Sequence, residues 1–279
     1  MDRIPFGIRR LDTTIDGGAP PGSVVLLSGE AGAGAREFMY TAATMNALAD
    51  TDPDLFDLYY GSLSPRATSP ESVHYVSFTA ERARLEREMS LAFDEEIIEE
   101  SSPGLHFHDL SSEYFRLSPV PRNWYSERTG TISDLGNATE ERSSVPEALG
   151  TVLSEHATNS LVVIDSLTDL ISAADDDLEW TDIPQLLKGI SRAAYDWGGL
   201  ILVHLNHETL TDREHGQLID ACDGTLMFEW ESGGSTRART LVVRQFRGVL
   251  SRIEDENIVR FETEIGEAGF DISDVRKIR

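Results

Sequence analysis

Lysine is almost absent from the sequence. Lys188 and Lys277 are the only lysines among 24 basic residues, and 49 acidic residues bring the formal net charge to -25. Such a charge repels phosphate backbones and anionic membrane surfaces, so it argues against sequence-independent binding of nucleic acid. Acidic chains with few lysines are typical of proteins that work in concentrated salt, which screens the repulsion. We therefore expect a cytoplasmic protein of a halophilic organism.

Cysteine and long apolar runs are also scarce. Cys222 is the single cysteine, which excludes an intramolecular disulfide and leaves no cysteine pair for zinc. The start of the chain has no apolar signal core. No stretch approaches the roughly 18 apolar residues that a membrane span needs. We expect neither export nor a membrane anchor.

Apolar strands alternate with helical periodicity through most of the chain. The strand-like segments are residues 24–28, 73–78, 105–109, 161–165 and 200–205. Helical spacing of apolar residues runs through residues 36–49, 80–93, 146–156 and 183–197. Strands that are apolar on both faces and alternate with helices indicate a mostly parallel central sheet flanked by helices. The remaining segments predict C-terminal antiparallel strands at residues 225–230, 239–246, 258–263 and 269–272.

We interpret residues 1–279 as a single α/β domain with two irregular segments. Residues 50–72 are rich in Asp, Pro, Ser and Gly and predict a long exposed connection. Residues 111–145 contain prolines, glycines and many polar residues and predict a flexible insertion or lid.

A glycine-rich turn leads from the first strand into a helix. Its residues are, in order, Gly29, Glu30, Ala31, Gly32, Ala33, Gly34, Ala35 and Arg36. Backbone N–H groups converge in such a turn and the helix dipole adds positive potential, so it suits phosphate. The P-loop pattern is G-x-x-x-x-G-K-[ST], and Ala35 and Arg36 stand where it requires a lysine and a magnesium-binding hydroxyl. The Walker A motif is therefore degenerate.

Arg36 is a poor substitute for the missing lysine. It comes one position late and points about 100° around the helix from Ala35. Its planar fork also differs from a compact ammonium group. We expect at most a residual nucleotide site, with ATP or ADP and Mg²⁺ as its candidate ligands.

The flanking sequence resembles the KaiC and RadA branch of the RecA-type ATPases. That family begins with G-x-x-x-L-D, then G-G, P-x-G-S, a strand and the P-loop. This chain has Gly7 to Asp12, Gly17-Gly18 and Pro20 to Ser23 in the same order. The likeness covers nearly the whole chain except the two irregular segments. It implies a RecA-like P-loop NTPase fold and relatives that form rings or filaments.

The resemblance also implies roles for residues outside the turn. Asp165, at the end of its strand, would support magnesium, although an Asp there also caps the following turn. Arg247 would reach the nucleotide of a neighbouring subunit, but Gln245 replaces the lysine two positions earlier. Relatives carry a catalytic pair of glutamates where this chain has Thr79-Ala80, and Glu81 is the nearest acid.

Histidines near strand ends allow a metal-binding interpretation. The candidates are His106, His108, His204, His207 and Glu208. No further ligand spacing supports zinc, so structural or nucleotide-sensing histidines are the better interpretation.

The missing charged groups favour a protein without catalysis. Phosphoryl transfer depends on positioning and charge neutralisation, which the absent lysines and glutamates would supply. We expect a pseudo-ATPase with a regulatory, signalling or scaffolding role, similar to the haloarchaeal KaiC-like proteins related to halobacterial transducers. It would act through a protein partner or as a homo-oligomer.

Two other functions stay open at this point. One is an ATP-binding protein or weak ATPase that uses Arg36 and Glu81. The other is a DNA-recombination accessory protein with a basic patch. The acidity of the chain counts against the second, whose patch would consist of Arg237, Arg239, Arg244 and Arg247.

Overall fold

A single nine-stranded sheet forms the centre of the fold. The computed structural model describes residues 2–116, 118–125, 144–173, 179–233, 236–249 and 258–277. The strands are β1 (Ser23–Gly29), β2 (Val73–Ser77), β3 (Leu105–Asp109), β4 (Leu161–Asp165), β5 (Leu200–Asn206), β6 (Gly224–Gly233), β7 (Thr236–Phe246), β8 (Ile258–Gly266) and β9 (Gly269–Lys277). Their order across the sheet is β3-β2-β4-β5-β1-β6-β7-β8-β9.

The sheet changes direction after β6. Strands β3, β2, β4, β5, β1 and β6 are parallel, and β7, β8 and β9 continue the sheet antiparallel. Strand β1 is central, with Leu26 opposite Val203 of β5 and Thr225 of β6. All residues of β1, β2 and β4 are buried, which explains their near-continuous apolar sequences.

Helices cover both faces of the sheet. They are α1 (Arg9–Thr14), α2 (Ala35–Thr51), α3 (Pro53–Tyr59), α4 (Arg82–Met89), α5 (Glu95–Ser101), α6 (Ser111–Tyr114), α7 (Val145–His156), α8 (Leu167–Ser172), α9 (Asp182–Trp197) and α10 (Asp212–Ala221). Helices α2 to α5 pack on the face that carries Val25 and Leu27, and α7 to α10 pack on the face that carries Val24 and Leu26. The structure confirms the predicted α/β class, the mostly parallel sheet and the antiparallel extension.

The segment 50–72 is not an exposed connection throughout, which corrects the prediction. It completes α2 and forms α3, in which Leu55 and Phe56 are buried. The side chain of Asp52 accepts a hydrogen bond from the N–H of Leu55 at 3.0 Å, and Pro53 occupies the first turn. An Asp-Pro pair is therefore a helix start here, although the same residues are also common in loops.

Most of the predicted insertion at 111–145 lies outside the described residues. The described part contains α6 and a turn at Arg122–Trp124. Helix α7 begins where Ser144 and Glu147 form a reciprocal capping box. None of the helices described has the length and apolar character needed to cross a membrane.

Candidate functional site

The glycine-rich turn lies between β1 and α2, at the carboxyl end of the parallel strands. Gly29 has no room for a side chain, because a Cβ would come within 2.8 Å of the Cβ of Ala35. Gly32 and Gly34 have φ angles of 72° and 109°, in the left-handed region that favours glycine. The N–H of Glu30 donates to the carbonyl of Phe228 on β6 at 3.0 Å. Backbone geometry alone therefore accounts for these glycines.

Strands β6 and β7 support the outer side of the turn. The indole N–H of Trp230 on β6 donates to the carbonyl of Ala31 at 3.1 Å. Nε of Arg239 on β7 donates to the carbonyl of Gly32 at 3.0 Å. The guanidinium of Arg239 also lies 4.7 Å from the centre of the Trp230 ring, a cation–π distance. No motif in the sequence predicts this support.

One amide of the turn binds an acidic side chain of the same chain. The N–H of Ala31 donates to Oε2 of Glu208 at 2.9 Å. Glu208 follows β5, and its own N–H donates to the side chain of Asn206 at 3.1 Å. The sequence made Glu208 a candidate metal ligand, whereas in the structure its carboxylate accepts a hydrogen bond from a backbone N–H of the turn.

Arg36 reaches from α2 to the end of β4. Its Nη2 lies 3.4 Å from Oδ1 of Asp165, and its Nη1 lies 3.7 Å from Oε2 of Glu88 on α4. Glu88 is held by the hydroxyl of Tyr40 at 2.8 Å and by Nε of Arg84 at 2.9 Å. Burial lowers the pKa of Arg36, but Asp165 together with Tyr40, Tyr75 and Glu88 outweighs burial and raises it, so the guanidinium stays charged. Arg36 is therefore a cation between two carboxylates, with 44% of its side chain exposed at the mouth of the cleft.

Donors surround the carboxylate of Asp165, which is 6% exposed. Its Oδ2 accepts a hydrogen bond from the hydroxyl of Tyr75 at 2.8 Å. Its Oδ1 faces Nδ1 of His204 at 3.5 Å as well as Arg36. Burial raises the pKa of Asp165, but His204 and Arg36 outweigh burial and hold it below its ordinary value. The group is therefore a buried, charged carboxylate.

The residues around Asp165 do not fit a magnesium ion. Mg²⁺ requires near-octahedral oxygen ligands at about 2.0–2.1 Å. Position 36 supplies a guanidinium in place of the hydroxyl, and this guanidinium faces Oδ1 of Asp165. The contacts therefore disfavour the magnesium role that the resemblance implies for Asp165.

A cleft of about 410 Å³ lies beside the turn. It is lined by the turn itself, by the first residues of α2, by residues that follow β4 and by residues at the end of β5. Glu30, Glu37 and Asp169 bring three carboxylates to its wall, and Arg36 is the only Lys or Arg among the described lining residues. Because Arg36 is paired with Asp165 and Glu88, the cleft offers little free positive charge to a polyphosphate.

Two residues with predicted roles lie outside this cleft lining. Glu81 is exposed at the start of α4. Arg247, whose side chain is 67% exposed, follows β7 and pairs with Asp223 at 3.1 Å. Arg239 contacts the turn from near the opposite end of β7. The chain between Arg239 and Arg247 spans roughly 26 Å at about 3.3 Å per residue of extended strand. Arg239 and Arg247 therefore do not form one basic patch.

Four histidines form a cluster on β2, β3 and α7. They are His74, His106, His108 and His156, which we call the histidine cluster. The ring centre of His74 lies 5.0 Å, 5.2 Å and 4.8 Å from those of the other three, in that order. The rings stack and do not converge. Within the described ranges, no group of three or more His, Cys, Asp or Glu residues could hold a metal ion.

The sheet order, the glycine-rich turn after β1 and Asp165 at the end of β4 define a RecA-like α/β fold. The structure is similar to that of a KaiC-like protein from the hyperthermophilic archaeon Pyrococcus horikoshii, with a TM-score of 0.62 and 18% sequence identity. The match covers 98% of this chain and 99% of the other. No family model and no curated protein matches the sequence. At this identity the likeness shows the fold alone.

Proposed function

We propose that this chain is a non-hydrolysing RecA-like protein with a regulatory, signalling or scaffolding role. The observation that carries the proposal is the pairing of Arg36 with Asp165 and Glu88. An ATPase needs free cations at the β- and γ-phosphates, and mutating such groups removes much of the rate enhancement. Here Ala35 replaces the lysine, and the guanidinium next to it is already neutralised.

The charge of the cleft supports the same proposal. Glu30, Glu37 and Asp169 line it together with the paired Arg36. A triphosphate without a metal ion would meet more negative than positive charge at this wall. Like charges at short distances are destabilising even near a protein surface. We therefore expect little affinity for ATP or ADP.

ATP turnover in molar KCl with Mg²⁺ tests the proposal. We expect the wild type and Asp165→Ala to release phosphate at the same background rate. Turnover in the wild type that disappears in Asp165→Ala would overturn the proposal, because Asp165 would then serve catalysis.

A double substitution tests whether the lost lysine limits nucleotide binding. Ala35→Lys with Arg36→Thr restores the P-loop pattern and leaves the net charge of the chain unchanged. We expect calorimetric titration of ATP with Mg²⁺ to show binding by this variant. Ala35→Gln with Arg36→Thr is the matched control without an ammonium group. If neither variant bound ATP, a feature other than the missing lysine would be what prevents the turn from accepting a nucleotide.

The second candidate function is a weak ATPase that uses Arg36, which does line the cleft. It requires Arg36→Ala to abolish nucleotide binding and Glu81→Gln to abolish turnover. The exposed position of Glu81, outside the cleft lining, counts against this candidate.

We propose a cytoplasmic location and action through a protein partner or a second copy of the chain. Arg247 is the proposed contact between subunits, because its side chain is 67% exposed even while it pairs with Asp223 at 3.1 Å. Light scattering at high salt should show a smaller mass for Arg247→Glu than for the wild type. An unchanged mass would remove Arg247 from the interface.

A further inference from the structure

The position of Arg36 suggests what it replaces. In the P-loop pattern the residue after the lysine binds magnesium with its hydroxyl, and the strand-end Asp is the acid on the other side of the ion. In this chain the guanidinium of Arg36 lies between those same two elements, α2 and the end of β4, with Nη2 3.4 Å from Oδ1 of Asp165.

We propose that Arg36 is a tethered cation that takes the place of the magnesium ion, so that the site needs no divalent metal and binds none. The inference deepens the proposed function, on which it rests. It concerns the resting protein and not its nucleotide chemistry, so it can be tested with no nucleotide present.

The surrounding contacts hold the guanidinium in this place. Oε2 of Glu88 lies 3.7 Å from the other terminal nitrogen, Nη1. The hydroxyl of Tyr40, one helical turn after Arg36 on α2, donates to the same Glu88 oxygen at 2.8 Å. Residues four apart share a helix face, so α2 presents the cation and the hydroxyl to α4 together.

The same contacts oppose a metal ion. To bind Asp165, Mg²⁺ would have to displace the guanidinium from Oδ1 and would then lie beside the positive charge of Arg36. The other oxygen, Oδ2, already accepts a hydrogen bond from Tyr75 at 2.8 Å. A divalent ion would therefore replace an existing neutral pair and gain few oxygen ligands.

Removing the cation should convert the site into a metal site. Arg36→Ser leaves Asp165 and Glu88 in place and restores a hydroxyl at position 36. We expect Mn²⁺, used alone as the probe and followed by its electron paramagnetic resonance signal in molar KCl, to bind Arg36→Ser at least about tenfold more tightly than the wild type. Arg36→Ser with Asp165→Asn should lose this gain.

Arg84→Ser is the matched control. It removes the other arginine that contacts Glu88, at 2.9 Å, and changes the net charge by the same amount. Among the contacts of the described residues, Arg84 does not pair with Asp165. An equal gain in Arg84→Ser and Arg36→Ser would overturn the inference, because general charge would then explain both. No gain in a folded Arg36→Ser, checked by circular dichroism, would also overturn it.

If Arg36→Ser does not fold, a comparison of Mn²⁺ binding by the wild type and by Asp165→Asn tests the inference. Specific Mn²⁺ binding by the wild type that is lost in Asp165→Asn would overturn the inference, and identical weak binding by the two proteins would support it. These results are separate from the turnover assay. A protein without turnover that binds Mn²⁺ through Asp165 would contradict the tethered cation and leave the proposed function standing.

Discussion

Asp12 is a buried carboxylate that organises the first residues of the fold. It is 1% exposed. It accepts hydrogen bonds from the N–H groups of Phe6 at 2.8 Å and Gly7 at 3.0 Å and from the hydroxyl of Tyr60 at 3.1 Å. Burial raises its pKa to about 7, although these donors favour the charged form and oppose the increase. The pattern G-x-x-x-L-D therefore encodes a local hydrogen-bonded structure.

Replacing Asp12 by alanine should lower the free energy of unfolding by about 2 to 4 kcal/mol, because it leaves buried donors without an acceptor. Its pKa is raised from 3.8 to about 7 on folding, so the folded chain holds a proton that the unfolded chain has released. The contribution of Asp12 to the free energy of unfolding is therefore fully present below pH 3.8 and is lost as the pH rises through 7. Urea unfolding at about pH 5 and about pH 8 should show the larger loss at the lower pH.

Asp57→Ala is the control for Asp12, since Asp57 is an exposed acid on α3. It should change the free energy of unfolding by no more than about 0.5 kcal/mol. If both substitutions had the same effect, or if the loss at Asp12 did not vary with pH, the carboxylate would not have the role described.

Single residues of the site were predictable where a motif contains them. The sequence identifies Gly29 to Arg36 by the spacing of glycines and Asp165 by its place at a strand end. The partners Glu88 and Tyr75 were not found, because they come from α4 and β2 and meet Arg36 or Asp165 only after folding. In the sequence, Glu88 is explained by its pairing with Arg84, and Tyr75 by an apolar strand.

At the scale of elements, the histidine cluster joins two strands to the end of α7. His74 is 6% exposed, its Nδ1 lies 3.0 Å from Nε2 of His108, and its Nε2 lies 2.8 Å from the hydroxyl of Ser72. Burial and the neighbouring rings lower the pKa of His74 from 6.5 to about 4. Glu155, which lies 3.7 Å from His156, is the acid that faces the cluster.

His74→Gln should make the fold less sensitive to acid. A lowered pKa means that the unfolded chain takes up a proton before the folded chain does. The stability present above pH 6.5 is therefore lost as the pH falls towards 4. Between about pH 7 and about pH 4.5 the wild type should lose about 2 kcal/mol more than the variant in urea unfolding. Ser72→Ala keeps the imidazole and should keep the wild-type slope, whereas parallel profiles for His74→Gln and the wild type would contradict the prediction.

Elements with a strong apolar pattern were easier to predict than polar ones. Strand β4 has the predicted bounds, and α9 begins one residue before its predicted start, because a continuous apolar run and a sustained helical period are strong signals. Helix α10 was missed. Its start carries Thr211 and Glu214, which form a capping box, so the signal was present but the helix is short and mostly polar on one side.

At the scale of the whole molecule, the sheet order assembles the site. The turn after β1, His204 on β5 and Asp165 on β4 are far apart in sequence, and the order β4-β5-β1 makes their strands neighbours. Parallel strands bring their carboxyl ends to one edge, where open α/β sheets bind ligands. The sequence predicted strand-end positions for Asp165 and His204, but the pairing of charges across this edge depends on side-chain directions that no periodicity encodes.

The net charge of -25 should make the stability of the whole fold depend on salt. Repulsion between surface acids acts over about 10 Å at about 0.1 M salt and about 3 Å at about 1 M. Salt also weakens surface ion pairs such as Lys188 with Asp220, 3.0 Å apart, but each exposed pair contributes only about 0 to 1 kcal/mol. With 49 acids against 24 bases, we expect the relief of repulsion to exceed this loss.

The thermal midpoint should therefore increase by roughly 10 °C between about 0.1 M and about 2 M KCl. Circular dichroism melting across a KCl series measures the increase, and the rise should be steepest at low salt, where the Debye length changes most. Sucrose at matched osmolality is the control, since it is excluded from the protein surface but does not screen charge. An equal increase in sucrose would assign the effect to solute exclusion, and a midpoint that falls with KCl would show that ion pairs outweigh repulsion in this chain.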